Sequence, residues 1–215
     1  DVASEGPLSK KHNASYIFNY RYSTTGLLNK ISPAGDMEQI LDYQDLNFKL
    51  HFPTKKAGVF SVWGTALIDK IKPEIESPEE WEYTDDAKDS RMKQTSAAAG
   101  LSHSYFFGGN SQLKTTLATT YSKTDAWESK YDFDMNATPS LDFKSQYTNL
   151  VLTSSFNKKY NSMHTNKTGF TLTNMRYDMN FDLAPFYTQP LERISEGKGN
   201  TNLISVYTSS LFNFS

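Results

Sequence analysis

Tyr43-Gln44-Asp45-Leu46-Asn47-Phe48-Lys49-Leu50-His51-Phe52 alternates without a break. Leu46, Phe48, Leu50 and Phe52 take every second position, and Asp45, Asn47, Lys49 and His51 fill the places between. Successive side chains of a strand point to opposite faces, so this period of two predicts a strand with one apolar and one polar face. Pro53-Thr54-Lys55-Lys56-Ala57-Gly58 follows as a tight link. From Val59 to Asp69 the alternation resumes, with Phe60, Val62, Ala66 and Ile68 on one side and Ser61, Trp63, Thr65 and Asp69 on the other.

The same reading extends in both directions. Asn13–Tyr22, Met92–Phe107, Gln112–Asp125, Ser145–Asn157, Lys167–Phe181 and Asn202–Phe214 complete a set of about eight long strands. Lys167–Phe181 is irregular, because Phe170 and Leu172 share one parity while Met175, Tyr177, Met179 and Phe181 share the other. A bulge near Asn174 is the expected remedy. Short links fall at residues 53–58, 108–111 and 160–166, and polar stretches at 23–42, 70–90, 126–144 and 182–201. All short links lie at one end of the strands and all long ones at the other. Outer-membrane barrels show this asymmetry, with short periplasmic turns and long external loops. The expected fold is all-β, an antiparallel up-and-down meander forming a transmembrane β-barrel or part of one. The first of these strands would run outward, leaving Asp1 on the periplasmic side. Ser23–Ile31 is the one stretch that reads as a short helical turn.

Composition agrees. The 215 residues suffice for one β domain spanning 1–215. Mean hydropathy is -0.60 and hydrophobic residues make up 37%, yet aromatics reach 14%, with 13 Tyr and 14 Phe. A polar average rich in aromatics suits strands with one wet face, and aromatics near strand ends suit an interfacial girdle. No apolar run approaches the ~18 residues of a spanning helix. A net charge of -2 with scattered basic residues gives no reason to expect nucleic acid. Cysteine is absent, which removes disulfides, thiol catalysis and thiolate metal sites. The segment Asp1–Pro7 has neither the basic nor the apolar region of a signal peptide.

Two segments resemble barrel strands of Bacteroidetes-type TonB-dependent outer-membrane receptors. They are Ser15-Tyr16-Ile17-Phe18-Asn19-Tyr20-Arg21-Tyr22-Ser23-Thr24-Thr25-Gly26-Leu27-Leu28 and Tyr43–Gly58, running on into Phe60-Ser61-Val62-Trp63-Gly64. The resemblance implies a large barrel, a plug domain inside it and energised uptake of a scarce nutrient such as a metal chelate or a glycan. The plug and the TonB box have no counterpart in these residues, and 215 residues do not hold the ~22 strands of such a barrel. The expectation is therefore an internal part of a receptor barrel, not transport-competent alone. Its partners would be outer-membrane lipid, the remainder of the barrel, the plug, and TonB only through the plug. Open strand edges would invite self-association. The ending Leu211-Phe212-Asn213-Phe214-Ser215 reads either as a terminal aromatic insertion signal or as an ordinary strand end.

Chemistry-bearing patterns are sparse, and no enzyme or cofactor is expected. The acidic stretch Glu74–Asp86 offers Glu79, Glu80, Trp81, Glu82, Asp85 and Asp86 as candidate ligand contacts, against the plainer reading of a solvated external loop. Trp127, expected in the next long loop, offers either a stacking surface or a packing anchor. Asp132-Phe133-Asp134-Met135-Asn136 opens like a calcium loop, but Ala137 and Phe143 stand where Gly and Glu belong, so alternating strand residues explain it better. His12, His51, His103 and His164 lack ligand spacing, and no nucleophile elbow accompanies the many serines. Two other readings stay open: a small self-contained outer-membrane barrel with a structural or adhesive role, and a soluble β-sheet binding protein.

Overall fold

The computed structural model describes residues 1–23, 39–73, 77–83, 86–186 and 189–214. Among these residues nine strands form one antiparallel sheet in strict chain order: β1 Val2–Ser9, β2 Ala14–Tyr22, β3 Gln39–Pro53, β4 Val59–Pro73, β5 Lys88–Phe107, β6 Ser111–Tyr131, β7 Ala137–Lys159, β8 His164–Leu183 and β9 Glu192–Phe212. The expected meander is present, with one more strand than the alternation revealed. β1 escaped because VASEGPLS carries no alternating hydrophobics and contains both Gly6 and Pro7. Its presence reverses one expectation. Val2 pairs with Tyr20, so β1 begins at the end of the sheet where β2 finishes, and Asp1 lies at the long-loop end. The helical turn expected over 23–31 falls, from Thr24 onward, outside the described residues.

The three short links survive as 54–58, 108–110 and 160–163, and the link 10–13 between β1 and β2 joins them at the same end. At the other end two of the four expected long loops are mostly strand. β6 and β7 pair as far as Tyr131 and Ala137, leaving only 132–136 between them, and β8 and β9 are joined through 184–191. Polar residues there read as loop because their alternation lacks hydrophobic contrast.

Register sorts side chains onto two faces. Phe18, Phe48, Gly64, Ala99, Thr119, Leu150, Asn174 and Asn202 lie on one line across the sheet, so their parities define one face on every strand. On β4 this face reads Phe60, Val62, Gly64, Ala66, Ile68, then Lys70. On β5 it reads Tyr105, His103, Leu101, Ala99, Ala97, Thr95, then Lys93 and Arg91. On β7, Phe156, Leu152 and Leu150 give way to Gln146, Lys144 and Asp142, and on β8 Phe170 and Leu172 give way to Arg176 and Asp178. An apolar band therefore covers the short-turn half of this face and stops along one line. From Phe60 to Ile68 it covers roughly 27 Å of strand, or about 20 Å of height at a ~40° tilt, near the ~25 Å of a barrel's lipid band.

Above that line the polarity of the two faces is exchanged. The opposite face is rich in hydroxyls and amides beside the band, with Ser61, Ser102, Thr116, Thr153 and Thr171 in one row. Beyond the band it carries Met92, Phe143, Tyr147, Tyr177, Met179 and Phe181. This exchange accounts for β8. The β7–β8 register runs unbroken through Asn174, so the expected bulge is absent there, and the shift between β8 and β9 comes at Phe181/Asp182. Phe170 and Leu172 belong to the band, whereas Met175 to Phe181 lie on the other face beyond it.

One layer of sheet has no interior. Ala14 is the one buried hydrophobic residue among the described residues, while Ile204 and Val206 are 69% and 76% exposed. Cohesion comes instead from the ladders and from side chains lying on their cross-strand neighbours. Phe48 covers Gly64 and Trp63 covers Gly100. At the short-turn end, Phe60 stacks on His103 at 4.4 Å, and His164 lies between Tyr160 at 4.9 Å and Phe212 at 4.4 Å. His103 also reaches the Ala57 carbonyl at 2.6 Å, tying the β3–β4 turn to β5.

Candidate ligand-facing loops and wall

The loop between β4 and β5 contains the 3-10 turn Pro78–Glu80, closed by Glu80 N–H donating to Ser77 O at 2.9 Å. Glu79 and Glu80 within this turn and Glu82 just beyond it are exposed. Asp86 is engaged locally, since one of its carboxylate oxygens accepts from Glu82 N–H at 2.8 Å and Tyr83 N–H at 2.7 Å. Asp85 lies outside the described residues. Trp81 is half-buried and meets Phe133 of the β6–β7 turn at 5.7 Å between ring centroids. This contact joins the β4–β5 loop to the β6–β7 turn.

Asp132–Asn136 is that β6–β7 turn, not a run of strand residues. Asp132 Oδ1 accepts from Asn136 N–H at 2.8 Å and Asp134 N–H at 3.0 Å, and Asn136 Nδ2 donates to both carboxylate oxygens. These bonds, the Asn136 N–H foremost, hold the Asp132 carboxyl below its ordinary range. The Asp132 carboxylate that made the segment look like the start of a calcium loop is thus bent back on its own backbone, a standard use of Asp in turns. Among the described residues no three metal-ligating side chains stand together, and no helix is long and apolar enough to cross a membrane.

Trp127 corrects a placement. It lies within β6, paired in register with Arg91 and Asp142, on the banded face just beyond the band's edge. The Arg91 guanidinium sits 5.4 Å from its ring centroid. Trp127 is therefore on the far side of the sheet from the aromatic patch of Tyr147, Tyr177 and Phe181. That patch is the aromatic part of the opposite face beyond the band. Phe143 and Phe181 meet edge to face at 6.0 Å, and Tyr147 and Tyr177 face one another across β7 and β8, 45% and 43% exposed. Sequence reading missed it because it took these residues for a register fault. The reversal of apolar parity halfway along β8 was the signal available.

No family model matches the chain, and no curated protein matches it. Solved structures do. The sheet superposes on the ferric yersiniabactin uptake receptor FyuA of Yersinia pestis with a TM-score of 0.60 at 10% identity, over 92% of this chain and 31% of that one. The siderophore receptor PiuA of Acinetobacter baumannii gives 0.49 at 12% identity, over 93% of this chain and 37% of that one. The chain thus spans about a third of the length of the receptors it matches. In fold, the nine-stranded antiparallel meander matches a β-barrel segment of TonB-dependent receptors.

Proposed function

We propose that the chain is a section of the wall of a TonB-dependent outer-membrane receptor, of the Bacteroidetes type its strands resemble. It serves nutrient uptake only together with the rest of the barrel and a plug. In this reading residues 1–215 are one β domain internal to that barrel. The banded face meets lipid, the opposite face lines the lumen, and the long-loop end is external. TonB acts through the plug alone, and the chain has no enzymatic role. Ligand contacts fall to Glu79, Glu80, Trp81 and Glu82, with Asp85 in the same loop, and to the aromatic wall patch. Asp86 serves the loop's own backbone, and Trp127 serves the lipid side.

The observation that carries this reading is the exchange of polarity between faces along a single line. A lipid slab produces such a line: below it the outer face must be apolar, and above it both faces meet water. A soluble sandwich covers one face of its sheet with another sheet along its whole length. A soluble chain also rarely exposes apolar surface on this scale. A small self-contained barrel would need β1 and β9 to pair, yet β1 has 8 residues against 21 for β9. The decisive experiment is folding in detergent with gel migration before and after heating. A compact, heat-modifiable form that requires detergent supports the reading, and a folded monomer stable in plain buffer overturns it.

A further inference from the structure

Basic residues that look scattered along the sequence are gathered by the meander. The register line that runs from Phe18 through Gly64 to Asn202 divides the sheet into a short-turn side and a long-loop side. Every Asp among the described residues lies on the long-loop side, and Glu5 is the one Glu on the short-turn side. Lysines collect where the carboxylates are missing. Lys10 and Lys11 occupy the β1–β2 turn, Lys55 and Lys56 the β3–β4 turn, and Lys158 and Lys159 end β7. Lys49, Lys114 and Lys167 stand in the strands beside these turns, all three on the face opposite the band.

The two sides differ in pairing as well as in sign. On the long-loop side Lys123, Lys144 and Lys198 meet Asp125, Asp142 and Asp178 at 2.8, 2.8 and 3.1 Å. On the short-turn side no lysine makes an ion pair among the described residues. Lys114 lies between Ser104 and Ser155, and Lys167 between Asn157 and Ser209, so their direct cross-strand neighbours carry no charge. Glu5 is separated from Lys49 by Ile17 of the strand between them. The β3–β4 turn is closed by Thr54, whose Oγ1 donates to the Gly58 carbonyl at 2.7 Å and accepts from Ala57 N–H at 2.9 Å. Lys55 and Lys56 are thus exposed on a fixed backbone, which lowers the ordering cost of binding there.

A concentration of one charge favours a partner surface of the other. Anionic lipid is the poorer match. Lys158 is the one strand lysine of this side on the banded face, and its ammonium lies 4.9 Å from the Tyr160 ring centroid. A bilayer would leave Lys49, Lys114 and Lys167 unused on the far side of the sheet. Resting on the reading above, in which the short-turn end is periplasmic, we propose that this end is a docking surface for a protein partner with an acidic face. The surface spans the lysine-bearing turns and the lumen-side wall next to them, and the partner's carboxylates meet lysines that are unpaired within the sheet.

The test uses the intact chain folded in a zwitterionic detergent, with folding scored by heat-modifiable migration. The probe is a fluorescein-labelled peptide of glutamates, the blank is the same peptide of glutamines, and the readout is anisotropy at low salt. The glutamate peptide should bind and the glutamine peptide should not. Lys55→Gln/Lys56→Gln/Lys114→Gln/Lys167→Gln should fold equally well and bind about tenfold more weakly, since each exposed pair contributes little and several are removed together. Lys93→Gln/Lys123→Gln/Lys144→Gln/Lys198→Gln removes the same charge from the long-loop side and should bind as the wild type does. Equal weakening in both variants reports net charge alone and overturns the docking surface, as does a folded wild type that does not bind. The lysines belong to lipid instead if the first variant binds the peptide normally but loses a preference for phosphatidylglycerol over phosphatidylcholine in native mass spectrometry. All three results leave the barrel reading standing, whereas failure of the wild type to fold in detergent overturns both.

Discussion

Phe48 lies over Gly64 of the neighbouring strand, so close that a Cβ at Gly64 would fall 2.5 Å from the ring. The glycine is there for the aromatic. Its missing side chain lets the ring close over the ladder, and the ring covers backbone that Gly would otherwise leave bare. Gly64→Ala should therefore destabilise the sheet by about 1–3 kcal/mol through overpacking. Adding Phe48→Leu should recover part of that loss, because the two positions are coupled. Denaturation midpoints in detergent micelles for the single and double variants measure the coupling.

Adjacent residues of β6 test which face meets lipid. Leu117 lies in the band, paired with Leu101 and Leu152. Thr116 points the other way and shares a 2.9 Å hydroxyl contact with Ser102. Leu117→Arg should cost about 2–4 kcal/mol if it enters the bilayer. Thr116→Arg should cost about 1 kcal/mol, the worth of its hydrogen bond. Unfolding titrations in lipid vesicles distinguish them, and equal costs would contradict the assignment of faces.

The β6–β7 turn should be acid-sensitive. Hydrogen bonds from Asn136 and Asp134 lower the Asp132 pKa in the folded state. A depressed carboxyl pKa stabilises the fold above the unfolded value and ceases to do so as pH falls through the folded one. Amide exchange at Asp134 and Asn136, taken relative to the intrinsic rate at each pH, should be protected near neutrality and lose that protection once the pH drops below the usual carboxylate range. In Asp132→Ala that protection should be absent at every pH.

β9 should reveal whether its free side is covered. It pairs with β8 along its length and, among the described residues, has no strand on its other side. Amides directed toward β8 should be protected from exchange and those alternating with them should exchange freely. Protection of both sets in a purified sample would indicate a partner on that edge, whether another part of a barrel or a second copy of the chain.

Where the chain crosses the band, the sequence was easy to read. Leu46 to Phe52 against Asp45 to His51 is full contrast between an apolar face and a polar one, and the strands found there are the ones expected. Beyond the band's edge contrast is lost or reversed. Ala126-Trp127-Glu128-Ser129-Lys130 looked like loop because polar side chains fall on both parities, and Tyr177 to Phe181 looked out of register because the apolar face had changed sides. The acidic loop was placed correctly, but sequence could not show that Asp86 is committed to its own turn or that Trp81 packs on Phe133. Trp127 was misplaced for the same reason as its strand.

The nine strands among the described residues are an odd number, and that has a topological cost. In a strict meander β1 and β9 run the same way, so joining them would create one parallel seam in an otherwise antiparallel wall. Two copies set side by side in one membrane, with their short turns on the same side, would create two such seams. A seamless ring through this sheet needs an odd number of further strands, the first and last of them running opposite to β1 and β9. Strand parity alone thus argues against a closed homodimer and in favour of an asymmetric complement.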